Sequence, residues 1–479
     1  MRPPLHRLDI LQLARLLASR DVSPIEVAEE QLERIARMDG VLCAYATVMA
    51  DTAMAQARVA EAEIAAGRYR GPLHGVPIAL KDLFWTKAAP TAAGMAIHRD
   101  FRASEDATVV RRLEAAGAVV LGKLQMTEGA YSDHHPSVSP PKNPWNADYW
   151  PGISSSGPGV AIAAGLCYGS PASDTGGSIR WPCAANGVTG LKPTWGRVSR
   201  HGVFPLAPSL DHVGAMARSA ADVGALMNAM AGPDPLDPTA LQDAPPDYLA
   251  GLAEGVKGIR IGVDSAWNSA VDVSVRNVMA HAVAVLTSQG ARIAEVMVPD
   301  MASTAADWAA NCAVEAAVAH AATFPSRRSE YGPILASVLE AGHALAGPDY
   351  QRILLRRMEL RGRLDALFRG VDLLLVPVHP FAPLRLATIR ALGDQPGLVA
   401  DLQRYTCPFD LSGHPALTLP GGFDADGLPL GFQLVARHLD EALLIRAGAA
   451  FQAVTEWHRR EPGAPSLSPA RSVPPRATG

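Results

Sequence analysis

Ser-Asp-Thr-Gly-Gly-Ser-Ile-Arg, residues 173–180, is the segment on which the interpretation of this 479-residue chain depends. Ser178 follows two glycines, so the backbone can turn sharply there and amide groups can approach a ligand without obstruction from Cβ atoms. Such amides can bind the oxyanion that develops during acyl transfer. The candidate donors are the amides of Thr175, Gly176, Gly177 and Ser178. Two glycines before a serine are also common in ordinary turns, so this segment alone does not establish catalysis.

A nucleophilic serine needs a base, and none of the fourteen histidines is an evident partner for Ser178. The GxSxG elbow of α/β-hydrolases is absent. Lys81 instead ends the apolar run 76–80, where desolvation would lower the pKa of its amine and allow the amine to act as a base. The loop 152–159 (GISSSGPG) adds serine hydroxyl groups. The alternative interpretations are an ordinary strand-end charge at Lys81 and a flexible turn at 152–159.

Together these segments resemble the amidase signature family, which uses a Ser–cis-Ser–Lys triad on a mixed central β-sheet wrapped by α-helices. The likeness covers most of residues 10–455. Its motifs, in chain order, are GVPIALKD (75–82), the Ser154-Ser155 loop, DTGGSIR (174–180), GVTGLKPT (187–194) with SLD (209–211), and DGLPLGFQL (426–434).

The resemblance implies an α/β amidase signature fold and an enzyme that hydrolyses carbon–nitrogen bonds other than peptide bonds. It implies Ser178 as the nucleophile, with Ser154, preceded by a cis peptide, relaying the proton to neutral Lys81. The implied supporting residues around the nucleophile are Ser155, Asp174, Arg180 and Asp211. It implies no metal ion and no organic cofactor.

The serine loop departs from the usual family pattern GGSSGGS. Ile153, Ser156 and Pro158 stand where the family has two glycines and a serine, while both serines of the relay are present. We therefore expect the chemistry to be retained and the wall of the acyl-binding cavity to differ.

The substrates that we expect are small apolar or aryl amides, anilides or carbamates (urethanes), with an esterase side activity. The apolar segments 374–380 and 407–409 favour this interpretation. One alternative is the glutamine-hydrolysing A subunit of a tRNA amidotransferase, and another is a non-catalytic binding protein on the same fold. Five aromatic residues near the motifs are predicted to pack in the core or to line the cleft, with core packing preferred: Trp85, Tyr131, Trp145, Trp150 and Trp181.

Composition restricts the partners and the compartment. The chain is 48% hydrophobic and 19% charged with a formal net charge of −4, which argues against a surface that binds nucleic acid. Its five cysteines form no CxxC pair, which favours a reducing cytoplasm. No apolar run approaches the ~18 residues of a spanning helix, so no membrane partner is expected. A homodimer is compatible with the sequence.

Secondary-structure signals in the sequence divide the chain into three parts. We expect an N-terminal helical region packed on the body (1–70), a catalytic domain (71–460, with a variable substrate region at about 215–400) and a disordered tail (461–479). Ser23-Pro24 predicts a helix start, with Ser23 as the N-cap. Residues 259–298 predict a β-α-β unit, and 373–377 a strand.

Overall fold

The computed structural model describes residues 4–391 and 395–463. Its strands are β1 (Tyr45–Val48), β2 (Pro77–Lys81), β3 (Val119–Leu124), β4 (Gly169–Asp174), β5 (Thr189–Lys192), β6 (His212–Ala217), β7 (Arg260–Val263), β8 (Arg292–Glu295), β9 (Leu373–Pro377), β10 (Ala416–Phe423) and β11 (Pro429–Ala436). Its helices are α1 (Ile10–Ser19), α2 (Pro24–Leu42), α3 (Ala50–Ala65), α4 (Thr108–Ala115), α5 (Ser156–Ala163), α6 (Arg180–Asn186), α7 (Ala220–Met230), α8 (Val273–Ser288), α9 (Thr304–Ala319), α10 (Pro333–Ala344), α11 (Gly347–Leu367), α12 (Leu386–Arg390), α13 (Pro396–Gln403), α14 (Cys407–Leu411) and α15 (Glu441–Ala453).

An eight-stranded mixed sheet forms the centre, with strand order β4-β6-β5-β10-β11-β9-β7-β8. The pairs from β4 to β9 are antiparallel, and β7 pairs in parallel with both β9 and β8. Helices α6, α7, α8 and α15 pack against its strands. The α/β class and the mixed central sheet that the sequence predicts are confirmed.

A three-stranded sheet, in the order β1-β3-β2, lies beside the central one. Strand β2 pairs in parallel with β3 and also packs on β4 of the central sheet. All five residues of β2 and all six of β4 are buried. This contact between the two sheets brings the end of β2, at Lys81, next to the end of β4, at Ser173 and Asp174.

Local sequence signals account for several element boundaries. Helix α2 begins at Pro24 with Ser23 as its N-cap, and the Ser23 hydroxyl accepts the Ile25 amide at 3.0 Å. The proline supplies a preset φ and needs no amide partner in the first turn. The predicted β-α-β unit forms as β7, α8 and β8, and the predicted strand 373–377 forms as β9.

The N-terminal region contains more than helices. Residues 45–48 form strand β1, which pairs with β3, so this part of the chain contributes to a sheet of the body. Helix α1 packs on α7, and Leu13 and Leu17 belong to the same hydrophobic core as the central strands. The division at residue 70 stays a prediction. Of the predicted tail, residues 464–479 lie outside the described residues.

Within the described ranges, no helix is both long and apolar enough to cross a membrane.

Candidate active site

The turn between β4 and α6 carries the segment 174–180 and is organised around one carboxylate. Oδ1 of Asp174 accepts the amide of Gly177 at 2.6 Å, and Oδ2 accepts the amide of Ile179 at 3.0 Å. Arg180 donates to both oxygens from Nε (3.0 Å) and Nη2 (2.9 Å). Burial raises the pKa of Asp174, but the charge and hydrogen bonds of Arg180, the Lys192 charge and the Ile179 amide together outweigh it and hold this pKa well below its usual value. Asp174 therefore stays ionised and fixes the turn.

Arg180 connects the turn 174–180 to the segment around α14. Its side chain is fully buried, and Nη2 donates to Asp410 at 2.5 Å while Nη1 donates to the Thr406 carbonyl at 2.9 Å. Burial raises the pKa of Asp410 well above its ordinary value despite the opposing charge of Arg180. This buried network connects β4, α6 and α14.

Thr175 is held from two sides. Its hydroxyl donates to Asp211 Oδ1 at 2.7 Å, and its carbonyl accepts Nε1–H of Trp308 at 2.7 Å. The Asp211 carboxylate also accepts the amides of Leu206 and Ala207. Asp211 thus positions the residue that precedes the two glycines.

One predicted oxyanion donor needs correction. The Gly177 amide donates to Asp174 and is not directed at a substrate, which leaves the amides of Thr175, Gly176 and Ser178 as candidates. The glycine at 177 is required for a different reason. It has φ +139°, and a Cβ there would lie 2.5 Å from the Trp181 ring.

Lys81 projects from the end of β2 into a site that excludes water. Its side chain is 0% exposed, and Nζ donates to Ser154 Oγ at 2.7 Å and to Ser173 Oγ at 2.9 Å. Burial lowers the pKa of Lys81 to about 7, although the charges of Asp174 and Asp211 oppose that shift. A large fraction of this amine is consequently neutral near pH 7.

The serine loop 152–159 lies directly against the turn 174–180. The Ile153–Ser154 peptide is cis. The Ser155 hydroxyl donates to the Ser173 carbonyl at 3.2 Å, and the Ser155 amide donates to the Ser178 carbonyl at 3.3 Å. Helix α5 then begins at Ser156, and Pro158 lies in its first turn, where the missing amide proton is tolerated. The loop therefore keeps its contacts with the turn despite its departures from the family pattern.

Ser178 borders a cavity of about 350 Å³. Ile153, one of the residues that depart from the family pattern, also lines this cavity. Four aromatic side chains contribute to its wall: Tyr131, Trp150, Trp181 and Trp308. Among the residues that the structure describes, the charged ones that line it are Asp133 and Arg390. The lining is thus mainly apolar, with the turn 174–180 on one side.

The aromatic residues near the motifs divide between the two predicted roles. Tyr131, Trp150 and Trp181 line the cavity, and the two tryptophans also belong to a small buried hydrophobic cluster. Trp85 instead packs near Phe101 and Phe204. Trp145 lies against Phe423, with ring centroids 5.0 Å apart. The preferred prediction of core packing is therefore incomplete, because Tyr131, Trp150 and Trp181 also line the cavity.

Sequence reasoning missed three residues of the site. Ser173 contacts Lys81, Trp308 holds Thr175, and Asp410 pairs with Arg180. Ser173 directly precedes the motif, and its position one residue before Asp174 at a strand end was a usable signal. The other two lie more than 130 residues away in the chain, and no local pattern marks them.

Comparisons with known proteins agree with this geometry. The family described as Amidase matches residues 26–445. The protein named "Putative amidase AmiD" of Mycobacterium tuberculosis is 50% identical over 456 residues, which cover 95% of this chain and 96% of that protein. The A subunit of glutamyl-tRNA(Gln) amidotransferase from Azotobacter vinelandii is 38% identical over 486 residues, covering 96% of this chain and 99% of that protein. The solved structure of a bacterial aryl acylamidase of the amidase signature family has a TM-score of 0.85 at 25% identity, covering 95% of this chain and 98% of that one.

Proposed function

The chain belongs to the amidase family and is an amide-hydrolysing enzyme, and on that premise we propose that it cleaves apolar or aryl amides, anilides or carbamates with Ser178 as the nucleophile. The observation that carries the proposal is the fully buried Lys81, whose pKa is lowered by burial to about 7 and whose Nζ lies 2.7 Å from Ser154 Oγ. A neutral buried amine beside a serine hydroxyl is a competent base at neutral pH.

The proton path runs through Ser154. As Ser178 Oγ attacks the substrate carbonyl carbon, its proton passes to Ser154 Oγ, and the proton of Ser154 passes to Nζ of Lys81. The protonated Lys81 returns a proton through Ser154 to the leaving nitrogen when the C–N bond breaks. Water then attacks the acyl-enzyme by the same relay, which releases the acid and restores the Ser178 hydroxyl.

The oxyanion of each tetrahedral intermediate requires preorganised donors. We assign this role to backbone amides among Thr175, Gly176 and Ser178. Asp211 and Trp308 contact Thr175 on its hydroxyl and carbonyl, so they fix the direction in which the following amides point. Their role is positioning.

The wall of the cavity supports the proposed substrate class. Four aromatic side chains and several aliphatic ones favour a flat or apolar group, because apolar surface gains free energy when it leaves water. The volume of about 350 Å³ suits a small molecule. Esters with the same acyl group should also react, since an alkoxide is a better leaving group than an amide nitrogen.

Glutamine hydrolysis is the second candidate. It is supported by the likeness, along nearly the whole chain, to the A subunit of the amidotransferase. Asp133 and Arg390 in the cavity wall could pair with the two charges of a free amino acid. The dominance of aromatic and aliphatic side chains makes it the weaker proposal.

A substrate panel separates these candidates. Wild type, Ser178→Ala and the surface control Ser288→Ala are assayed on an aryl anilide, a primary amide, an aryl carbamate, an ester and glutamine. Turnover of the anilide or carbamate by wild type and the control, lost in Ser178→Ala, is the expected result. Turnover of glutamine alone would favour the amidotransferase role. Turnover of no substrate would contradict both and revive the binding-protein alternative.

A further inference from the structure

Three side chains from separate elements converge outside the active site. Asp365 lies near the end of α11, His414 lies between α14 and β10, and His438 follows β11. Oδ1 of Asp365 is 3.1 Å from Nε2 of His414 and 3.2 Å from Nδ1 of His438. The three ligand atoms all lie within 4.8 Å of one another.

The two separations from Asp365 match those of ligands around one metal ion. With metal–ligand distances of about 2.0–2.2 Å, adjacent ligand atoms lie about 3.0–3.5 Å apart in octahedral or tetrahedral geometry. From this geometry we propose that Asp365, His414 and His438 bind a divalent transition-metal ion, with Zn²⁺ as the representative. The family resemblance implied no metal ion, and these three residues are far apart in the chain.

The hydrogen bonds of His438 favour a cation at this place. Its Nε2–H donates to the Ser412 carbonyl at 3.0 Å, so the neutral ring presents the lone pair of Nδ1 to the Asp365 carboxylate. Two acceptors then face each other with no proton between them. A metal ion between them relieves this repulsion.

His414 has a matching arrangement. Its side chain is 0% exposed, and Nδ1 lies 3.0 Å from the Ser412 hydroxyl, which can accept Nδ1–H and leave the lone pair on Nε2. Nε2 then faces the Asp365 carboxylate, with Oδ1 at 3.1 Å. Ser412 therefore supports both imidazoles, as the outer partners of metal-binding histidines do.

The donor set indicates the kind of ion. Two imidazoles with one carboxylate suit Zn²⁺ and related ions better than Mg²⁺, which prefers oxygen ligands. The Asp365 side chain is 43% exposed, which provides a route for entry and room for water ligands.

The bound ion would join α11 to the loop that follows α14. Asp410 of α14 pairs with Arg180, which holds the nucleophile turn. The ion would thus stabilise the framework behind the active site without touching the substrate.

Zinc binding is measured by equilibrium dialysis of the metal-stripped full chain against micromolar Zn²⁺, followed by elemental analysis and thermal melting. We expect about one Zn²⁺ per chain, a higher melting temperature with Zn²⁺, and no such rise with Mg²⁺. Asp365→Asn and His438→Gln should each weaken binding by at least about tenfold, and Ser412→Ala by about tenfold.

His343→Gln is the control, because His343 is exposed on α10 and outside the cluster. It should bind Zn²⁺ as wild type does. Failure of wild type to retain Zn²⁺, or equal retention by wild type and Asp365→Asn, would overturn the proposal. None of these readouts depends on the activity of Ser178.

Discussion

The pH dependence of kcat/KM should follow the deprotonation of Lys81. Because the pKa of Lys81 is lowered to about 7 by burial, the neutral fraction of its amine rises from about 9% at pH 6 to about 50% at pH 7 and about 91% at pH 8. Only the neutral amine can accept the proton of Ser154. We therefore expect kcat/KM to rise about tenfold between pH 6 and pH 8 and to level off above pH 8.

The assay is initial-rate hydrolysis of an uncharged anilide from pH 5.5 to 10, at substrate concentrations well below KM. An uncharged substrate keeps its own ionisation out of the profile. A flat profile between pH 6 and pH 9 with chemistry rate-limiting would refute Lys81 as the base. A rise that continues in proportion to hydroxide up to pH 10 would show that its pKa is not lowered.

Lys192 needs a control of its own, because burial lowers its pKa to about 7 as well. The charge of Asp211 raises the pKa of Lys81, whereas the charge of Glu441 raises that of Lys192. Asp211→Asn should therefore move the midpoint of the profile to lower pH, and Glu441→Gln should leave it in place. A midpoint that moves only in Glu441→Gln would assign the titration to Lys192 and refute the argument.

Ser173→Ala removes a hydrogen-bond acceptor 2.9 Å from Nζ of Lys81. We expect kcat/KM to fall about tenfold with little change in melting temperature. Unchanged kinetics would show that this contact does not position the amine. Arg180→Met leaves the buried carboxylates of Asp174 and Asp410 without their partner. The free energy of unfolding, measured in urea, should fall by about 3–5 kcal/mol. The surface control Arg327→Met should lower it by less than about 1 kcal/mol. Similar losses in both would contradict the role of the buried network. Ile153→Gly enlarges the cavity that Ile153 lines. The value of kcat/KM for an anilide with a bulky acyl group, divided by that for an anilide with a small one, should rise roughly tenfold. A constant ratio would mean that Ile153 does not contact the acyl group.

Local signals in the chain were sufficient for much of the architecture. Ser23-Pro24 marks the start of α2, and the apolar run 373–377 forms β9 with the predicted bounds. Such features depend on capping, backbone restriction and hydrophobic periodicity, which act over a few residues. Strand β1 was missed because a four-residue strand between two helices carries little periodicity of its own.

The ordered motifs also identified the family and nominated Lys81, Ser154 and Ser178, since each motif is written in adjacent residues. The burial and the long-range contacts of those side chains could not be predicted from adjacent residues. The pKa of Lys81 depends on burial by elements from distant parts of the chain, and its contact with Ser173 spans 92 residues. The use of the Gly177 amide by Asp174 depends on the path of the turn, and the approach of Asp365 to two histidines depends on the packing of α11. Residue types and short-range order are properties of the sequence, whereas desolvation and the meeting of remote groups arise only when the chain is packed.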